Sequence, residues 1–434
     1  MKIRKGKRLS RGVHVCDMKH LTRDNPIEIM TPPEMVSICL AQHIGKPSEC
    51  LVKQGDYVLQ GQLIGKANGF VSANIYSSVS GEVLGLEKRP NILGVMQDCV
   101  LIKNDGNYSY MPLLPMESKE PEDIINRILE AGIVGMGGAG FPTFVKLSAK
   151  TKMDTVIING AECEPYLTCD FRLMVEKTEE LAAGIRLLAK AMKVSKVIIG
   201  IEDNKPEAIE LFSKFDDIEV VRLKKMFPMG SEKHLIYSCT GRKVPTGKLP
   251  SEVGCAVFNI ATAFATYEAV ELNKPLFERV MTVSGKAIVH HKNLLVKNGT
   301  SFDSVIEFCG GTRDNLAMLV AGGPMMGVSL LSTNYYTRKS DSGLLCLDEL
   351  EVDVNNPTPC ITCGRCAAAC PMKLLPMAID FYTLSGDYDK AEKYGGVSSC
   401  INCGCCSYVC PANRALIQSI TLCKQKLNAK KEVK

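Results

Sequence analysis

The chain has 434 residues, which at roughly 100 to 200 residues per domain predicts two to four domains. Hydrophobic residues make up 46% and charged residues 23%, a composition typical of globular proteins and unlike that of disordered chains. Because no apolar run approaches about 18 residues and no apolar core follows the basic N-terminus, we expect neither a membrane span nor a secretion signal. The net charge is +5, and part of the basic excess lies at the termini, which we interpret as solvated tails, with contact to anionic lipid or a partner as the alternative.

Short β-type runs alternate with glycine turns over residues 31–105, which predicts a compact all-β module. The phrases Val52-Lys-Gln-Gly-Asp56 and Ser78-Val-Ser-Gly81 resemble the barrel-sandwich domains that carry biotin or lipoate. Those domains present a modifiable lysine between methionines or beside small acidic residues, whereas the matching stretch here is Lys66-Ala-Asn-Gly-Phe70. We therefore expect a scaffold and not a swinging arm.

The hydrophobic period changes in the middle of the chain. Residues 121–130 predict a helix that begins at a proline and ends before Gly132. Strand-like and helical runs then alternate, which is the pattern of a parallel α/β sheet. The strands are expected at 155–158, 197–201 and 218–221, and the helices at 171–192 and 205–214. Residues 280–330 return to strand-like runs around one helix near 302–308, which predicts a small α+β module.

Two copies of one cysteine pattern near the C-terminus give the strongest chemical signal. Both match C-x2-C-x2-C-x3-C-P, the run of bacterial ferredoxins, in which the fourth cysteine ligates the other cluster. Zinc is the alternative, but zinc sites pair two C-x2-C units without the remaining cysteines and the proline. We therefore expect two 4Fe-4S clusters, which carry electrons one at a time. The expected ligands are Cys360, Cys363, Cys366 and Cys410 for the first cluster and Cys400, Cys403, Cys406 and Cys370 for the second.

A glycine-rich loop lies between the predicted helix at 121–130 and the first strand of the α/β pattern. Gly135-Met-Gly137-Gly138-Ala-Gly140 satisfies G-x-G-x-x-G, but a dinucleotide-binding turn needs a strand directly before the glycines, where this chain predicts a helix. The glycines let backbone amides approach an anion at the start of the helix that Phe141-Pro-Thr143 opens. A tight turn without a ligand is the alternative.

This loop and Lys146 are followed by Asn159-Gly-Ala-Glu162-Cys-Glu164-Pro165 and by Asn259-Ile-Ala-Thr262. The set resembles, in order and spacing, the flavin-binding 51-kDa subunit of respiratory complex I, which implies an FMN site beside an NADH site. Ala161 and Ser231 stand where that family has an aspartate and a glutamate. The resemblance implies that FMN is held by Gly135, Gly137, Gly138, Gly140, Lys146, Asn159, Asn259 and Thr262, and that Phe141, Glu162, Glu164 and Glu232 face the nicotinamide nucleotide.

The order of modules is similar to that of the C subunits of Rnf complexes, membrane-associated NAD and ferredoxin oxidoreductases, over roughly residues 10–425. The resemblance implies a multidomain α/β and α+β fold. Its parts are a basic N-terminal segment at 1–30, a barrel-sandwich module at 31–110, a Rossmann-like FMN and NADH domain at 121–275, a β-grasp-like (SLBB) module at 276–330 and a two-cluster ferredoxin-like domain at 350–425. The segments Phe227-Pro-Met-Gly-Ser-Glu-Lys233 and Val244-Pro-Thr-Gly247 also match, without an assigned chemistry.

The resemblance further implies a peripheral, NADH-oxidising subunit on the cytoplasmic face of the cell membrane, which passes electrons from NADH through FMN to the clusters, or in reverse. Its implied partners are membrane-complex subunits of the A, B, D, E and G types, with ferredoxin reached indirectly and no nucleic acid involved. No catalytic side chain is expected, since hydride transfer belongs to the flavin. Two alternatives remain open, a soluble reductase similar to the cobalamin reductases and a non-catalytic iron–sulfur assembly scaffold.

Overall fold

The structure is a computed structural model that describes residues 3–149, 151–352 and 356–432. Its N-terminal segment is threaded through the fold, so the interpretation as a solvated tail is wrong. β1 (Ile3–Lys5) extends the parallel sheet of the α/β domain, and β2 (Ile27–Ile29) extends the sheet of the α+β module. Leu9 and Val13 are buried between them. The basic residues did not distinguish a strand from a tail, because an edge strand pairs through its backbone and leaves its charged side chains in solvent.

The barrel-sandwich module is built from two antiparallel sheets that share one apolar core. At the tip of the hairpin at 66–70, where carrier domains hold their modified lysine, Phe70 is 65% exposed and meets the ring of Phe144 of the α/β domain edge-on, with centroids 5.7 Å apart. The role of this module as a scaffold stays a prediction. The strands are β3 (Met35–Cys39), β4 (Glu49–Cys50), β5 (Tyr57–Val58), β6 (Leu63–Lys66), β7 (Ile75–Tyr76), β8 (Gly81–Pro90) and β9 (Met96–Asn104).

The α/β domain has a parallel sheet with helices on both faces, which explains why its strands are almost uninterrupted apolar runs. The helical stretch expected at 171–192 is two helices, because Lys177 leaves the helical conformation with φ −129° and ψ 39°. The elements are α1 (Pro121–Glu130), α2 (Thr143–Leu147), β10 (Thr155–Gly160), α3 (Cys169–Glu176), α4 (Thr178–Ala191), β11 (Lys196–Glu202), α5 (Pro206–Phe212), β12 (Glu219–Leu223), α6 (Glu232–Thr240), β13 (Cys255–Asn259) and α7 (Ile260–Glu271).

The strand order of this sheet is β1-β12-β11-β10-β13. β10 and β13 are therefore neighbours although they are far apart in sequence, and Asn159 lies opposite Asn259 at their carboxyl ends. Open parallel sheets bind ligands outside the carboxyl ends of their strands. The loops that carry the expected flavin residues meet at this edge.

The α+β module follows, with a mixed sheet in the order β17-β16-β18-β14-β15-β2. Its single helix spans the residues that the sequence pattern indicated. The elements are β14 (Glu278–Ser284), β15 (Lys292–Lys297), α8 (Phe302–Phe308), β16 (Leu316–Ala321), β17 (Val328–Leu330) and β18 (Gly343–Asp348).

The remaining helices form the cysteine domain, residues 356–432. The basic C-terminus is not the expected tail, because α13 buries Leu416, Ile420 and Cys423 along one face. Lys2 and Lys434, two of the terminal charges, lie outside the described residues. Within the described ranges, no helix combines the length and apolarity that crossing a bilayer requires. The helices are α9 (Arg365–Ala369), α10 (Pro376–Leu384), α11 (Tyr388–Lys390), α12 (Cys405–Tyr408) and α13 (Leu416–Glu432).

Candidate functional site

The glycine loop, residues 135–140, leaves α1 and closes on itself before α2. Gly135 N donates to Phe141 O at 2.8 Å, and Gly140 has a positive φ of 72° that favours glycine. Since a helix and not a strand precedes the loop, it is not a Rossmann dinucleotide turn, as expected. Thr262 of α7 holds the loop through two hydrogen bonds: Met136 N donates to its hydroxyl at 3.0 Å, and the hydroxyl donates to Val134 O at 3.3 Å.

Two adjacent glycines of the loop have different surroundings. A Cβ on Gly137 would lie 2.8 Å from the Asn259 amide nitrogen, so this glycine is required by packing within the protein. A Cβ on Gly138 would meet no atom of the described residues within 4 Å, and its φ is not in the left-handed region. The space over Gly138 is therefore open to a ligand, and a side chain there would take it.

Lys146 on α2 is the cation next to this loop. Its ammonium donates to Val257 O at 2.7 Å and lies 3.4 Å from the Glu232 carboxylate. The nitrogen also lies 5.4 Å from the centroid of the Phe258 ring. Its side chain keeps 32% exposure, so it is held in place yet accessible to an anion.

Asn159 and Asn259, at the carboxyl edge of the sheet, each use both the oxygen and the nitrogen of the side-chain amide to bind neighbouring segments. Asn259 accepts from Ala261 N at 2.8 Å, which caps α7, and donates to Asp170 at 2.7 Å. Asn159 donates to Gly230 O at 2.8 Å and accepts from Ala161 N at 3.3 Å. Both asparagines therefore fix the conformation of the segments that surround the glycine loop.

Glu162 points into the protein. Its Oε1 accepts from Asp170 N at 2.7 Å at the start of α3, and its Oε2 lies 3.6 Å from the Lys19 ammonium. Burial, and then the charge of Glu162, raise the pKa of Asp170 to about 6. The expectation that Glu162 faces a nicotinamide does not fit this position, because its side chain is only 4% exposed and its Oε1 is bound at the start of α3.

Glu164 also points inward, toward the α+β module. Its Oε2 accepts from Met325 N at 3.1 Å, whereas its Oε1 is buried without a hydrogen-bond partner among the described residues. Burial raises the pKa of Glu164 to about 7. A contact with bound nucleotide therefore does not fit this carboxylate either, since it lies where the α/β domain, the α+β module and the cysteine domain meet.

Glu232 and Phe141 remain open to the site. Glu232 is the first residue of α6, and its side chain is 43% exposed beside Lys146. Phe141 follows Gly140 directly and is partly exposed. Of the residues expected to face the nucleotide, these two have positions from which a ligand above the glycine loop is reachable.

The cysteines gather around two separate cavities, and each cavity takes one cysteine from the other run. The first cavity is lined by Cys360, Cys363, Cys366 and Cys410, and the second by Cys400, Cys403, Cys406 and Cys370. Four thiols around one cavity are the ligand set of a 4Fe-4S cluster, and the lining of the second cavity also includes Cys405. Cys405, which interrupts the second run, is buried, and its thiol lies 3.9 Å from Phe227 O, where it packs against the α/β domain.

Several supporting residues were not indicated by the sequence. Arg279 at the start of the α+β sheet is buried and donates to Met136 O at 3.3 Å. Ile44 N of the barrel-sandwich module donates to Gly140 O at 3.2 Å, and Asp170 binds Asn259. These contacts join distant parts of the chain, and no local pattern indicates them.

Four family models match the chain in the order of its modules. They are the RnfC barrel sandwich hybrid domain over residues 7–107, the Nuo51 FMN-binding domain over 128–268, the SLBB domain over 280–329 and the 4Fe-4S dicluster domain over 352–411. The open glycine loop with its lysine and the two four-cysteine cavities fit these groups. FMN and two 4Fe-4S clusters are the cofactors of this fold.

Three curated relatives, each a C subunit of an ion-translocating complex, match nearly the whole chain. The relative from the proton-translocating ferredoxin:NAD(+) oxidoreductase complex of Clostridium ljungdahlii is 43% identical over 96% of this chain and 93% of its own. The relative from the ion-translocating oxidoreductase complex of Rhodobacter capsulatus is 43% identical over 98% and 84%. The relative from the Na(+)-translocating ferredoxin:NAD(+) oxidoreductase complex of Acetobacterium woodii is 41% identical over 97% and 97%.

Solved structures give a weaker match. An NAD+-reducing NiFe hydrogenase in its air-oxidized state aligns with a TM-score of 0.45 and 18% identity over 62% of this chain and 54% of that one. This likeness is too low to bear on function. The curated relatives and the family models together show that the chain belongs to the family of Rnf complex C subunits.

Proposed function

We propose that this chain is the electron-input subunit of an Rnf-type ferredoxin:NAD oxidoreductase complex, in which electrons from NADH pass through FMN to the second cluster and then to the first. One observation carries the order of the clusters. Cys403 and Cys405 at the second cavity pack with Phe227 of the α/β domain, whereas Cys360 and Cys363 at the first cavity are exposed. Electron flow in reverse uses the same path.

The α/β domain supplies the flavin site. Backbone amides around Gly138 and the Lys146 ammonium would hold the FMN phosphate, because an anion is favoured where free amides and a cation converge. Gly135, Gly137, Gly140, Asn159, Asn259 and Thr262 would keep the loop in shape. When bound, FMN would supply hydride acceptance and release of single electrons, and the side chains around it would bind it, orient it and exclude water.

NADH would lie on the side of Phe141 and Glu232. An aromatic ring at the loop provides a stacking surface, and an exposed carboxylate accepts from a ribose 2′-hydroxyl while it repels a 2′-phosphate. Glu162 and Glu164 would act indirectly, through α3 and through the junction of the modules. This arrangement favours NADH over NADPH.

The cysteine domain would hold the clusters through the crossed sets, Cys360, Cys363, Cys366 and Cys410 for the first and Cys400, Cys403, Cys406 and Cys370 for the second. The exposed first cluster would transfer electrons to other subunits of the complex, of the A, B, D, E and G types, and ferredoxin would be reached through them. The names of the curated relatives support this assembly. The chain would be a peripheral subunit on the cytoplasmic face.

The proposal is tested with purified, anaerobically reconstituted protein and an artificial electron acceptor. We expect bound FMN, and reduction of the acceptor with NADH much faster than with NADPH. Equal rates with both nucleotides, or no activity despite bound FMN, would contradict the NADH-oxidising role. Cluster absorbance without any FMN would support the assembly scaffold instead.

A further inference from the structure

The two segments that match the family without an assigned chemistry, 227–233 and 244–247, both touch the cysteine domain. Phe227 shares an apolar cluster with Ala369, Cys403 and Cys405. The hydroxyls of Thr246 and Ser399 lie 3.5 Å apart, and Ser399 directly precedes Cys400. These segments, together with the first turn of α6, contact residues that line or flank the second cavity, and we call them the docking seat (residues 227–234 and 244–247).

The same docking seat also reaches the flavin side of the α/β domain. Gly230 O accepts from Asn159, and Gly230 N donates to the thiol of Cys163 at 3.4 Å. Glu232 pairs with Lys146 at 3.4 Å. One short stretch of chain therefore contacts both the proposed phosphate-binding lysine and the loops of the second cavity.

His234 is the polar link within this seat. It is buried on the first turn of α6, its Nδ1 lies 2.5 Å from the Ser231 hydroxyl, and its Nε2 lies 3.4 Å from Pro371 O. Pro371 follows Cys370, the crossing cysteine of the second cavity. Because a carbonyl only accepts, Nε2 of the neutral ring must carry the proton, and Ser231 must donate to Nδ1.

We propose that His234 is a positioning residue for electron transfer, which fixes the loop of Cys370 on the α/β domain and so sets the separation between flavin and second cluster. This inference rests on the proposed path from FMN to the second cluster. Its basis is the pair of bonds through one imidazole, since Ser231 fixes the ring and the ring holds the loop.

Two substitutions separate the halves of this link. In His234→Asn the short amide can still bond Ser231 but does not reach Pro371, whereas in His234→Gln the longer amide can still donate to Pro371 O. His290→Asn, on the exposed surface of the α+β module, is the matched control. Ser231→Ala provides a milder variant in case His234→Asn loses its clusters, because it removes only the bond that orients the ring.

The first readout is kinetic, in the holoprotein with FMN and both clusters. We expect His234→Asn to leave FMN reduction by NADH unchanged and to slow reduction of the second cluster by about tenfold or more, since small displacements of reacting groups have effects of this order. His234→Gln should restore most of the rate. Ser231→Ala should slow cluster reduction to a smaller extent.

The second readout needs no turnover. Lys373 N donates to Cys370 O at 3.0 Å and Leu374 N lies 3.3 Å from its thiol, so hydrogen exchange of these amides reports on the loop. Exchange should quicken in His234→Asn and not in His234→Gln or His290→Asn. Unchanged cluster reduction and unchanged exchange in His234→Asn would overturn the inference. If NADH fails to reduce the second cluster in the wild-type protein, the proposed function fails, while the exchange comparison still tests the docking.

Discussion

The two cysteine cavities have the same sequence pattern and different surroundings. Around the first, Cys360 and Cys363 are exposed and Ile361 between them is 64% exposed. Around the second, Cys370, Cys403 and Cys406 are buried. The repeat therefore encodes how four thiols are spaced, and distant segments of the chain decide which cavity packs against the α/β domain and which is exposed.

The polar surroundings of the cavities differ as well. At the second, the Lys424 ammonium donates to Cys400 O at 2.5 Å and to the Asn402 side chain at 3.1 Å. At the first, the Arg414 guanidinium is neutralised by Asp380, which it contacts at 2.7 Å. A cation beside a cluster stabilises its reduced form, so the two clusters are expected to differ in potential.

The largest effect is expected from removing the crossing cysteines. Cys370→Ala should eliminate the second cluster and Cys410→Ala the first, because each of these residues completes the cavity formed by the other run. Iron content should fall by about half in each variant, and spectra of the reduced proteins should lose different components. Loss of the same component in both variants would contradict the crossed assignment.

A side chain that fills the space over the glycine loop should prevent the reduction of both clusters by NADH. Gly138→Val places a side chain in open space without backbone strain, so the fold should persist while FMN is lost. Both clusters should then remain reducible by dithionite and not by NADH. Gly138→Ala, with its smaller side chain, should retain more FMN. Full flavin occupancy in Gly138→Val would show that the loop is not the phosphate site.

Removal of a positive charge near the second cavity should change the reduction potential of the second cluster only. Lys424→Met removes the ammonium beside Cys400, which should lower the reduction potential of the second cluster by an amount on the order of tens of mV. The first cluster should be unaffected. Lys426→Met, an exposed lysine on the same helix, is the control, and redox titration followed by EPR gives the values. Equal shifts of both clusters would argue against a local charge effect.

The smallest expected effect is on stability and concerns Glu164, at the side of the second cavity. Its pKa is raised by burial from the ordinary 4.5 to about 7, so the protonated carboxyl stabilises the fold below pH 4.5, and this contribution is lost as the pH rises toward 7. Relative to Glu164→Gln, the wild-type protein should lose on the order of 1 kcal/mol between pH 5 and pH 8. Thermal unfolding at the two pH values provides the comparison, and a constant difference would contradict it.

Local sequence patterns predicted correctly those features that are determined by residues close together in the sequence. The helix at 121–130 begins at its proline and ends before Gly132, and the exchange of Cys370 and Cys410 between cavities was expected from the ferredoxin run. The N-terminal strand was missed, because its partner β12 lies more than 200 residues away and edge pairing needs no hydrophobic alternation.

The directions in which the side chains at the candidate site point could not be predicted from the sequence either. Glu164 was expected to face the nucleotide from its position in the motif, but Met325 of another module captures its carboxylate. Glu162 was likewise expected there and caps α3 instead. Such contacts depend on how the modules pack, which a single sequence does not specify.

The order of electron transfer is tested most directly by rapid mixing of NADH with Cys410→Ala and with Cys370→Ala, each holding FMN and one cluster, followed by freeze-quench EPR. We predict that the cluster remaining in Cys410→Ala, the second, is reduced at the wild-type rate, and that the cluster remaining in Cys370→Ala, the first, is reduced far more slowly although FMN is reduced normally. Fast reduction of the first cluster in Cys370→Ala together with slow reduction of the second in Cys410→Ala would contradict this order.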